Sequence, residues 1–594
     1  PSSESYLNAD AIINACQTTG AQAVHPGYGF LSENAAFAQR LSDEGIAFIG
    51  PPVGAIESMG DKITSKLLAA EAGVNTIPGY TDVVRDADHA VEISEGIGYP
   101  VMLKASAGGG GKGMRVARDR AECQDGFERA TSEARSSFGD DRIFIEKFVE
   151  EPRHIEIQVL ADRHGHTLYL GERECSIQRR HQKVIEEAPS SFIDANTRRA
   201  MGEQAVALAE AVNYCSAGTV EFVVDAERNF FFLEMNTRLQ VEHPVTEVVT
   251  GIDLVEQMLR VAAGETLSFS QEDITLTGWA MEARIYAEDP FRSFLPSVGR
   301  LSHYEEPADQ QGVRVDAGVF EGGEVSIYYD PMIAKLIGFG VDRNTAIARL
   351  RDALDRYVIR GTADNIPFLS ALFRHPRFIE GRINTGFIDE EYAEGFTVEH
   401  VRHEDPRALV ALSVMFERTL SGDTSDRAYG VVSIGEQARE SFAASVANGQ
   451  ISVDGVSYAI ETAWRPGLKL CEVSINGSPQ AVQVERDGID WVVSQMGDRM
   501  RIRVMSPRAA ELLALMPVKV PPDLSKFLLS PMPGLLMDVR VASGDPVEIG
   551  TDLAVVEAMK MENVLRAERA GTVKTVLAEV GASLAVDEPI IEFE

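Results

Sequence analysis

The first 390 residues alternate helical patterns with short apolar strands. Residues 11–15 follow the spacing of a helix and residues 46–49 form a short apolar strand, so residues 1–60 are predicted to form part of an α/β layer. A smaller α/β unit is predicted over residues 61–150, and a mixed body of strands and helices over residues 151–390. The predicted fold class of this part of the chain is therefore α/β.

The pattern changes after residues 393–406, a polar and charged stretch that is typical of a linker. Dipeptides that favour tight turns then recur between alternating apolar residues, at Asn448-Gly449, Asp454-Gly455, Asn476-Gly477 and Asp487-Gly488. Such spacing predicts an antiparallel barrel or sandwich over residues 400–517. A second linker at residues 518–524 contains two consecutive prolines and leads into the last segment.

The last segment, residues 525–594, contains one strand pattern twice. The matching positions are displaced by 37 residues and are Gly534 and Gly571, Val539 and Val576, Gly544 and Gly581, Val547 and Leu584, and Leu553 and Ile590. Two related halves joined at their middle predict a small flattened β-sandwich. Lys560 lies near the connecting turn, within Ala558-Met559-Lys560-Met561-Glu562-Asn563, so we expect a lysine that is presented away from the core.

Composition and charge narrow the class of protein. A net charge of −35 argues against nucleic-acid binding, because phosphate backbones are held mainly by lysine and arginine. The five cysteines are scattered and contain no C-x-x-C pair, so neither a disulfide framework nor a zinc site is expected. Because no apolar run reaches the roughly 18 residues that cross a bilayer, we expect no membrane association.

The beginning of the chain bears on its location. The sequence starts at Pro1 without a methionine and enters in the middle of a pattern, so we expect that the true N-terminus lies upstream. A bacterial protein of this kind would be cytoplasmic. A preceding targeting segment would instead direct it to the mitochondrial matrix.

Two strands around a polar loop bring two carboxylates together. Pairing Asp225 with Phe230 in a hairpin places Glu221 directly opposite Glu234. At about 4 Å and an effective dielectric constant near 20, two such charges repel by roughly 4 kcal/mol. A divalent cation such as Mg²⁺ or Mn²⁺ would offset this repulsion, and Asn236 on the same face offers another oxygen ligand. Two glutamates on a wet sheet face are the alternative.

Polar residues continue at every second position, namely Glu234, Asn236, Arg238, Gln240 and Glu242. In an extended chain these five side chains line one face. Arg238 offers a planar donor fork for a small oxyanion, Gln240 a further donor, and Glu242 a candidate general base. An exposed strand face would show the same alternation, but the neighbouring glutamate pair favours an anion and metal site.

A run of glycines at residues 108–113 lies between two predicted strands. No helix opens behind it, and Lys112 is followed by Gly113 rather than Ser or Thr, so neither the dinucleotide-binding nor the Walker pattern applies. A glycine hairpin suits folding over phosphates because its backbone N–H groups are unobstructed, and a merely flexible loop is the alternative. Lys62 and Lys104 flank this region as candidate phosphate partners.

Together these features resemble biotin carboxylase, a member of the ATP-grasp group, over residues 1 to about 390. The resemblance implies that the following residues bind ATP: Lys62, Lys104, Gly108, Gly109, Gly110, Gly111, Glu146, Lys147, Val149, His154, Gln178 and His181. It implies metal binding by Glu221, Glu234 and Asn236. It also implies bicarbonate binding by Lys183, Arg238, Gln240 and the backbone of Val241.

The resemblance further implies a reaction in which ATP phosphorylates bicarbonate, carboxyphosphate breaks down to CO₂, and N1′ of biotin attacks it. Glu242 matches the base that deprotonates bicarbonate, and Arg284 matches the residue that stabilises the biotin enolate. Lys183 and Arg238 complete the implied catalytic set.

The segment around Lys560 resembles the biotinyl domain of biotin-dependent carboxylases, in which this lysine carries biotin through an amide bond. With the hairpin-rich middle, the chain resembles the α subunit of acyl-CoA carboxylases, and its motifs are most similar to those of the propionyl-CoA type. This implies attachment of biotin by biotin protein ligase. It also implies that residues 400–517 contact a separate carboxyltransferase β subunit, in a large α/β hetero-oligomer.

Two alternatives stay open from the sequence. The partner subunit selects the acceptor, so acetyl-CoA or methylcrotonyl-CoA carboxylase α subunits would share these features. A non-catalytic carrier and scaffold subunit would keep the domains but lose side chains from residues 234–242, which are intact here.

Overall fold

The computed structural model describes residues 2–80, 82–106, 114–138, 140–307, 311–326, 328–435, 438–517, 526–548, 550–558, 561–567 and 570–593. The chain divides into two compact units. The first comprises residues 1–283, 337–347 and 376–393, and the second comprises residues 284–336, 348–375 and 394–594. Within these described ranges, no helix is both long and apolar enough to span a membrane.

The first unit begins with the predicted α/β layer. Its elements are α1 (Ala9–Thr19), β1 (Ala23–Val24), α2 (Ala35–Asp43), β2 (Ala47–Phe48), α3 (Val53–Gly60) and α4 (Lys62–Glu71). The two strands pair in parallel, which requires a crossover connection, and α2 lies in it. Ile13, Phe37, Leu41, Phe48 and Ile56 form the core of this layer.

A four-stranded sheet follows in the order β3-β6-β4-β5. Its segment of chain contains β3 (Gly79–Tyr80), α5 (Ala87–Ile97), β4 (Val101–Ala105), β5 (Met114–Ala117), α6 (Arg120–Phe138) and β6 (Ile143–Lys147). Val101, Leu103 and Ile145 lie in the apolar core of this sheet with residues of α5 and α6. Because side chains alternate along a strand, Lys104 and Glu146 lie on the other face.

The main sheet of the first unit contains the antiparallel strand order β11-β10-β7-β8-β9-β12. Its elements are β7 (Arg153–Ala161), β8 (Thr167–Arg179), β9 (Gln182–Ala188), α7 (Ala195–Ala211), β10 (Ser216–Val224), β11 (Phe230–Asn236), α8 (His243–Thr250), α9 (Leu254–Ala262) and β12 (Trp279–Tyr286). Ile155, Ile157 and Phe222 pack with apolar residues of α7. The intervening Glu156 and Glu221 therefore lie on the opposite face of the sheet.

Residues after β12 contribute to both units. They form β13 (Glu288–Asp289), β14 (Leu295–Pro296), β15 (Gly299–Arg300), β16 (His303–Glu305), β17 (Val313–Ala317), β18 (Glu324–Val325), β19 (Met332–Gly340), α10 (Arg343–Arg356), β20 (Val358–Arg360), α11 (Ile366–Leu372), α12 (Pro376–Ile379) and α13 (Phe387–Glu391). Buried aromatic residues, including Tyr357, Phe368 and Phe373, fill the part that belongs to the second unit.

The middle of the chain is a nine-stranded antiparallel sheet that packs on a buried helix. Its elements are α14 (Pro406–Ser421), β21 (Ala428–Ile434), β22 (Arg439–Ala447), β23 (Gln450–Val453), β24 (Val456–Tyr458), β25 (Ile460–Thr462), β26 (Leu470–Ile475), β27 (Ser478–Asp487), β28 (Asp490–Gln495), β29 (Asp498–Met505) and α15 (Pro507–Ala514). Leu409, Leu412 and Phe416 of α14 pack against Trp464 and Trp491. This arrangement confirms the predicted barrel-like sheet. The sequence pattern did not predict α14.

Three of the four predicted hairpin turns have the predicted register. Asn448-Gly449, Asp454-Gly455 and Asn476-Gly477 each connect paired strands, with positive φ at both residues. The fourth prediction was wrong by one residue, since Asp487 pairs with Asp490 and the turn is formed by Gly488-Ile489. Glycine with a φ of 60° at the first turn position is typical of a type II′ turn, which explains the shift.

The C-terminal segment is the predicted flattened β-sandwich. It contains β30 (Phe527–Leu529), β31 (Gly534–Val539), β32 (Pro546–Val547), β33 (Asp552–Ala558), β34 (Met561–Arg566), β35 (Gly571–Val576), β36 (Ser583–Leu584) and β37 (Pro589–Phe593). The two sheets have the orders β30-β37-β35-β32 and β34-β33-β31-β36. The displacement of 37 residues aligns β31, β32 and β33 of the first copy with β35, β36 and β37 of the second. Each sheet therefore contains strands from both copies.

Candidate active site

A partly buried lysine surrounded by three carboxylates forms the centre of the site. Lys183 Nζ lies 2.5 Å from Glu156 Oε2, 3.1 Å from Glu221 Oε1 and 2.5 Å from Glu242 Oε1. We call these four residues the carboxylate-rich cluster. Burial opposes the lysine charge, but the three carboxylates hold the pKa of Lys183 well above its ordinary value. The cluster therefore carries an excess of negative charge.

Glu221 and Glu234 face each other across the hairpin, as predicted. The predicted pairing of Asp225 with Phe230 was nevertheless wrong, because Phe230 pairs with Val224. A β-bulge that inserts Leu233 restores the register at the glutamates, and Asp225 instead accepts backbone N–H groups in the loop.

The two glutamates differ in their surroundings. Burial and the nearby charge of Glu221 raise the pKa of Glu234. Burial also disfavours the charge of Glu221, but Lys183 and His154 keep its pKa well below the ordinary value. This difference is the expected consequence of placing two carboxylates close together, and a cation between them would relieve it.

The polar row beyond Asn236 is not an extended strand, contrary to the prediction. β11 ends at Asn236, and the chain then turns to begin α8 after Glu242. Tertiary contacts still bring the row together, because Asn236 Nδ2 and Gln240 Nε2 both donate to Glu221 Oε1, at 2.8 and 3.1 Å. The row therefore converges on Glu221 rather than lying along one strand face.

Arg238 connects the polar row to the N-terminal layer. Its guanidinium donates to Asn236 Oδ1 at 3.0 Å, to Gln240 Oε1 at 2.9 Å and to Glu33 Oε2 at 2.9 Å. Its side chain is about one-fifth exposed, so it borders the open side of the site. The amide oxygen of Asn236 is thus already engaged and would have to exchange partners to bind a metal.

His154 lies beside the glutamate pair. Its Nε2 is 2.9 Å from Glu221 Oε2, and its Nδ1 is 2.9 Å from Gln178 Nε2. Ligand atoms of His154, Glu156 and Glu221 lie within 4.8 Å of one another, so this region has the donor set for a divalent cation. His181, by contrast, is exposed in the turn between β8 and β9.

Two buried residues of the site had been given no role from the sequence. Glu156 is fully buried and contacts both Lys183 and Arg173, whose guanidinium is also fully buried. Glu156 follows His154 by two residues on β7, and this alternation was a signal that both share a face. Arg173 lies on β8, and its guanidinium donates to protein side chains.

A second charge cluster lies at the small sheet. Glu146 is paired with Lys104, at 2.7 Å between Nζ and Oε2, and with Lys66. We call these three residues the lysine-rich cluster. Burial and the charge of Lys62 lower the pKa of Lys104 to about 8, and burial with the charges of Lys104 and Lys62 lowers the pKa of Lys66 well below its ordinary value.

Lys66 had not been predicted, although one signal was present. It lies four residues after Lys62 on α4, a spacing that places two side chains on one helix face. Of the other residues implied to bind ATP, Lys147 donates to the backbone carbonyls of Gly98 and Tyr99, at 2.9 and 3.0 Å. Val149 is half-buried just after β6.

The role of several predicted residues is not tested by this geometry. Gly108, Gly109, Gly110, Gly111 and Lys560 lie outside the described residues. Lys104 pairs with Met114, so the glycine run does connect two antiparallel strands. Ala558 pairs with Met561, so Lys560 belongs to the connection between β33 and β34. Arg284 is buried on β12 but belongs to the second unit, and its role stays a prediction.

Family comparisons match successive segments of the chain. The matching descriptions are "Biotin carboxylase, N-terminal domain" for residues 1–56, "Carbamoyl-phosphate synthase L chain, ATP binding domain" for 61–270, "Biotin carboxylase C-terminal domain" for 282–390, "Propionyl-coenzyme A carboxylase BT domain" for 416–519 and "Biotin-requiring enzyme" for 526–593.

Solved structures match the biotin carboxylase part. The biotin carboxylase–β,γ-ATP complex from Campylobacter jejuni is 46% identical with a TM-score of 0.64, and the match covers 66% of this chain and 86% of that one. The biotin carboxylase domain of Hydrogenobacter thermophilus 2-oxoglutarate carboxylase, in complex with MgADP, ADP and bicarbonate, is 45% identical with a TM-score of 0.63 and the same coverage.

Curated relatives match the whole chain. The propionyl-CoA carboxylase α chain of Ruegeria pomeroyi is 54% identical, over 100% of this chain and 92% of its own length. The mitochondrial human protein of that name is 51% identical, over 100% and 84%. The mouse methylcrotonoyl-CoA carboxylase α subunit is more distant, at 41% identity over 100% and 86%. The chain therefore belongs to the propionyl-CoA carboxylase α-chain family of ATP-dependent, biotin-requiring carboxylases.

Proposed function

We propose that this chain carboxylates biotin held on its own Lys560, using ATP and bicarbonate, with Glu242 as the general base. The observation that carries the role of Glu242 is its contact with Lys183, with 2.5 Å between Oε1 and Nζ, next to the Glu221–Glu234 pair. This contact holds Glu242 as a carboxylate that can accept a proton. Lys183 and Arg238 provide positive charge for a bicarbonate anion beside it.

The residues divide the chemistry between them. Glu242 accepts the proton of bicarbonate, and the freed oxygen attacks the γ-phosphorus of ATP while ADP leaves. A divalent cation held by Glu221, Glu234 and Asn236 neutralises phosphate charge when bound. Lys104 and Lys62 bind phosphates, and Arg284 acts at the carboxylation step. Biotin supplies the ureido nitrogen that accepts the carboxyl group.

Replacement of the base tests this assignment. Glu242→Gln should lower bicarbonate-dependent ATP cleavage, measured with free biotin, by about 100-fold or more, since that is a typical contribution of a general base. Glu247→Gln is a matched control in α8, the helix that follows Glu242, because Glu247 is also buried but bonds to Leu254 and His243. Undiminished turnover of Glu242→Gln would remove Glu242 from this role and favour a non-catalytic scaffold.

The carrier role of Lys560 has its own test. With biotin protein ligase, the chain should react with streptavidin and Lys560→Arg should not. Lys574→Arg is a control within the same domain, since this lysine pairs with Glu592 and is not in the motif. Biotinylation of the Lys560→Arg protein would contradict the assignment.

We further propose a division of labour among the segments. Residues 1–60, 61–150 and 151–390 form the carboxylation part, residues 400–517 contact a carboxyltransferase β subunit in an α/β hetero-oligomer, and residues 525–594 form the carrier.

The higher identity to propionyl-CoA carboxylase chains than to the methylcrotonoyl-CoA relative supports propionyl-CoA as the acceptor. Copurification of the β subunit and a panel of acyl-CoA substrates test this, and faster carboxylation of acetyl-CoA or methylcrotonyl-CoA would contradict it.

A further inference from the structure

Arg173 is a fully buried arginine whose guanidinium donates four hydrogen bonds to protein side chains. Its Nε donates to Glu156 Oε1 at 2.5 Å, and its Nη1 donates to Gln158 Oε1 at 2.7 Å and to Thr246 Oγ1 at 2.9 Å. Its Nη2 donates to Thr219 Oγ1 at 3.1 Å. These partners come from β7, β10 and α8, so one side chain connects three elements that surround the site.

The first connection leads to the proposed base through a chain of charges. Glu156 uses one carboxylate oxygen for Arg173 and the other for Lys183. Lys183 in turn contacts Glu242 at 2.5 Å. The positions of Lys183 and Glu242 therefore depend on the orientation of Glu156, which Arg173 fixes.

The second connection leads to the same base through the backbone. Thr246, which accepts from Arg173, lies in the first turn of α8. Glu242 is the residue that immediately precedes this helix. Arg173 thus holds both the partner of Glu242 and the helix end that carries Glu242.

The charge of Arg173 also matters for Lys183. Three carboxylates compete for a single lysine in the carboxylate-rich cluster. Arg173 neutralises Glu156, which is neither the proposed base nor one of the predicted metal ligands Glu221, Glu234 and Asn236. Without it, Glu156 would draw Lys183 away from Glu242.

We propose that Arg173 is a positioning residue for bicarbonate activation, which acts through Glu156 and Lys183 on Glu242. This inference rests on the proposed function of Glu242. It concerns the bicarbonate half of the reaction only, because no contact connects Arg173 to the lysine-rich cluster among the described residues.

The test compares the KM for bicarbonate with the KM for ATP. Arg173→Met should raise the KM for bicarbonate about tenfold or more and lower kcat, while the KM for ATP stays within about twofold, as expected for loss of a supporting contact. Arg198→Met is the control, because Arg198 is a half-buried arginine that pairs with buried Glu172, the neighbour of Arg173 on β8 that faces the other side. Its loss should change thermal stability without a selective effect on bicarbonate.

Two further variants extend the test, and the first of them keeps it informative if Arg173→Met folds poorly. Thr246→Val removes only the bond to α8 and should raise the bicarbonate KM about threefold, whereas Thr246→Ser should behave as wild type. Glu156→Gln combined with Arg173→Met should be no worse than Arg173→Met alone, because the charge that Arg173 neutralises is then absent.

The outcomes distinguish this inference from the proposed function. If Glu242→Gln abolishes turnover but Arg173→Met and Thr246→Val leave the bicarbonate KM unchanged, or raise both KM values equally, the positioning role is wrong. If Glu242→Gln retains full turnover, the proposed function itself fails first.

Discussion

The lysine-rich cluster has more positive than negative groups, and the carboxylate-rich cluster has more negative than positive groups. In the first, Lys66 and Lys104 share Glu146, so positive charge is in excess. In the second, Glu156, Glu221 and Glu242 share Lys183, so negative charge is in excess. Burying unpaired charge is costly, and each imbalance therefore indicates the ligand that would correct it. The first cluster suits the phosphates of a nucleotide, and the second suits a divalent cation.

The largest expected difference between the two clusters is in the Mg²⁺ requirement. Glu221→Gln removes the carboxylate that His154, Asn236 and Gln240 all contact, so the Mg²⁺ concentration for half-maximal ATP cleavage should rise by about 100-fold or more. Glu146→Gln, in the lysine-rich cluster, should leave the Mg²⁺ requirement unchanged. Equal shifts in a Mg²⁺ titration of the two variants would break the distinction between the clusters.

A smaller effect is expected for the nucleotide. Among the described residues, Lys66→Met leaves Lys104 as the one ion-pair partner of Glu146. Lys104 is then drawn to that carboxylate, and ATP should bind about tenfold more weakly, or about 1.4 kcal/mol. Bicarbonate KM should not change. Calorimetric titration with a non-hydrolysable ATP analogue measures the loss, and an unaltered affinity would show that Lys66 only supports the fold.

The smallest effect is a dependence on pH. Burial and the charge of Lys62 lower the pKa of Lys104 to about 8, and Lys104 binds phosphate only when protonated. Nucleotide affinity should therefore fall by about threefold from about pH 7.5 to about pH 8.5, since the protonated fraction falls by that factor.

Proton uptake gives an independent measure of the same group. Above pH 8, binding of the analogue should take up a proton, which calorimetry in buffers of different ionisation enthalpy detects. The carboxylate-rich cluster contains no group expected to respond in this way, and Lys104→Gln should abolish the uptake. Uptake that persists in this variant would assign the titration to another group.

Local patterns in the sequence identified the features whose partners are close along the chain. The repeat with a displacement of 37 residues predicted the sandwich and the place of Lys560, and the hairpin alternation predicted the opposition of Glu221 and Glu234. The glutamate prediction was right although its turn was wrong, because the bulge at Leu233 compensates for a one-residue shift.

The features that were missed depend on contacts between distant segments. Arg173 and Thr246 are 73 residues apart, and only the packing of α8 on the sheet brings them together. The row from Arg238 to Glu242 was wrongly predicted as a strand because alternation alone does not reveal the helix that follows it. Similarly, α14 is buried on all sides from Ala408 to Val414, so this part lacks the polar face by which a surface helix is recognised.

In the C-terminal sandwich, the strand that connects to the rest of the chain and the strands next to Lys560 lie in different sheets. The chain enters at β30 and ends at β37, which pair in one sheet, whereas β33 and β34, the strands next to Lys560, pair in the other. If the whole domain turns about the segment that precedes β30, the position of Lys560 changes. No strand then has to separate from its neighbour. We therefore expect that substitutions that strengthen the core around Leu553 and Ile590 leave the rate of delivery unchanged.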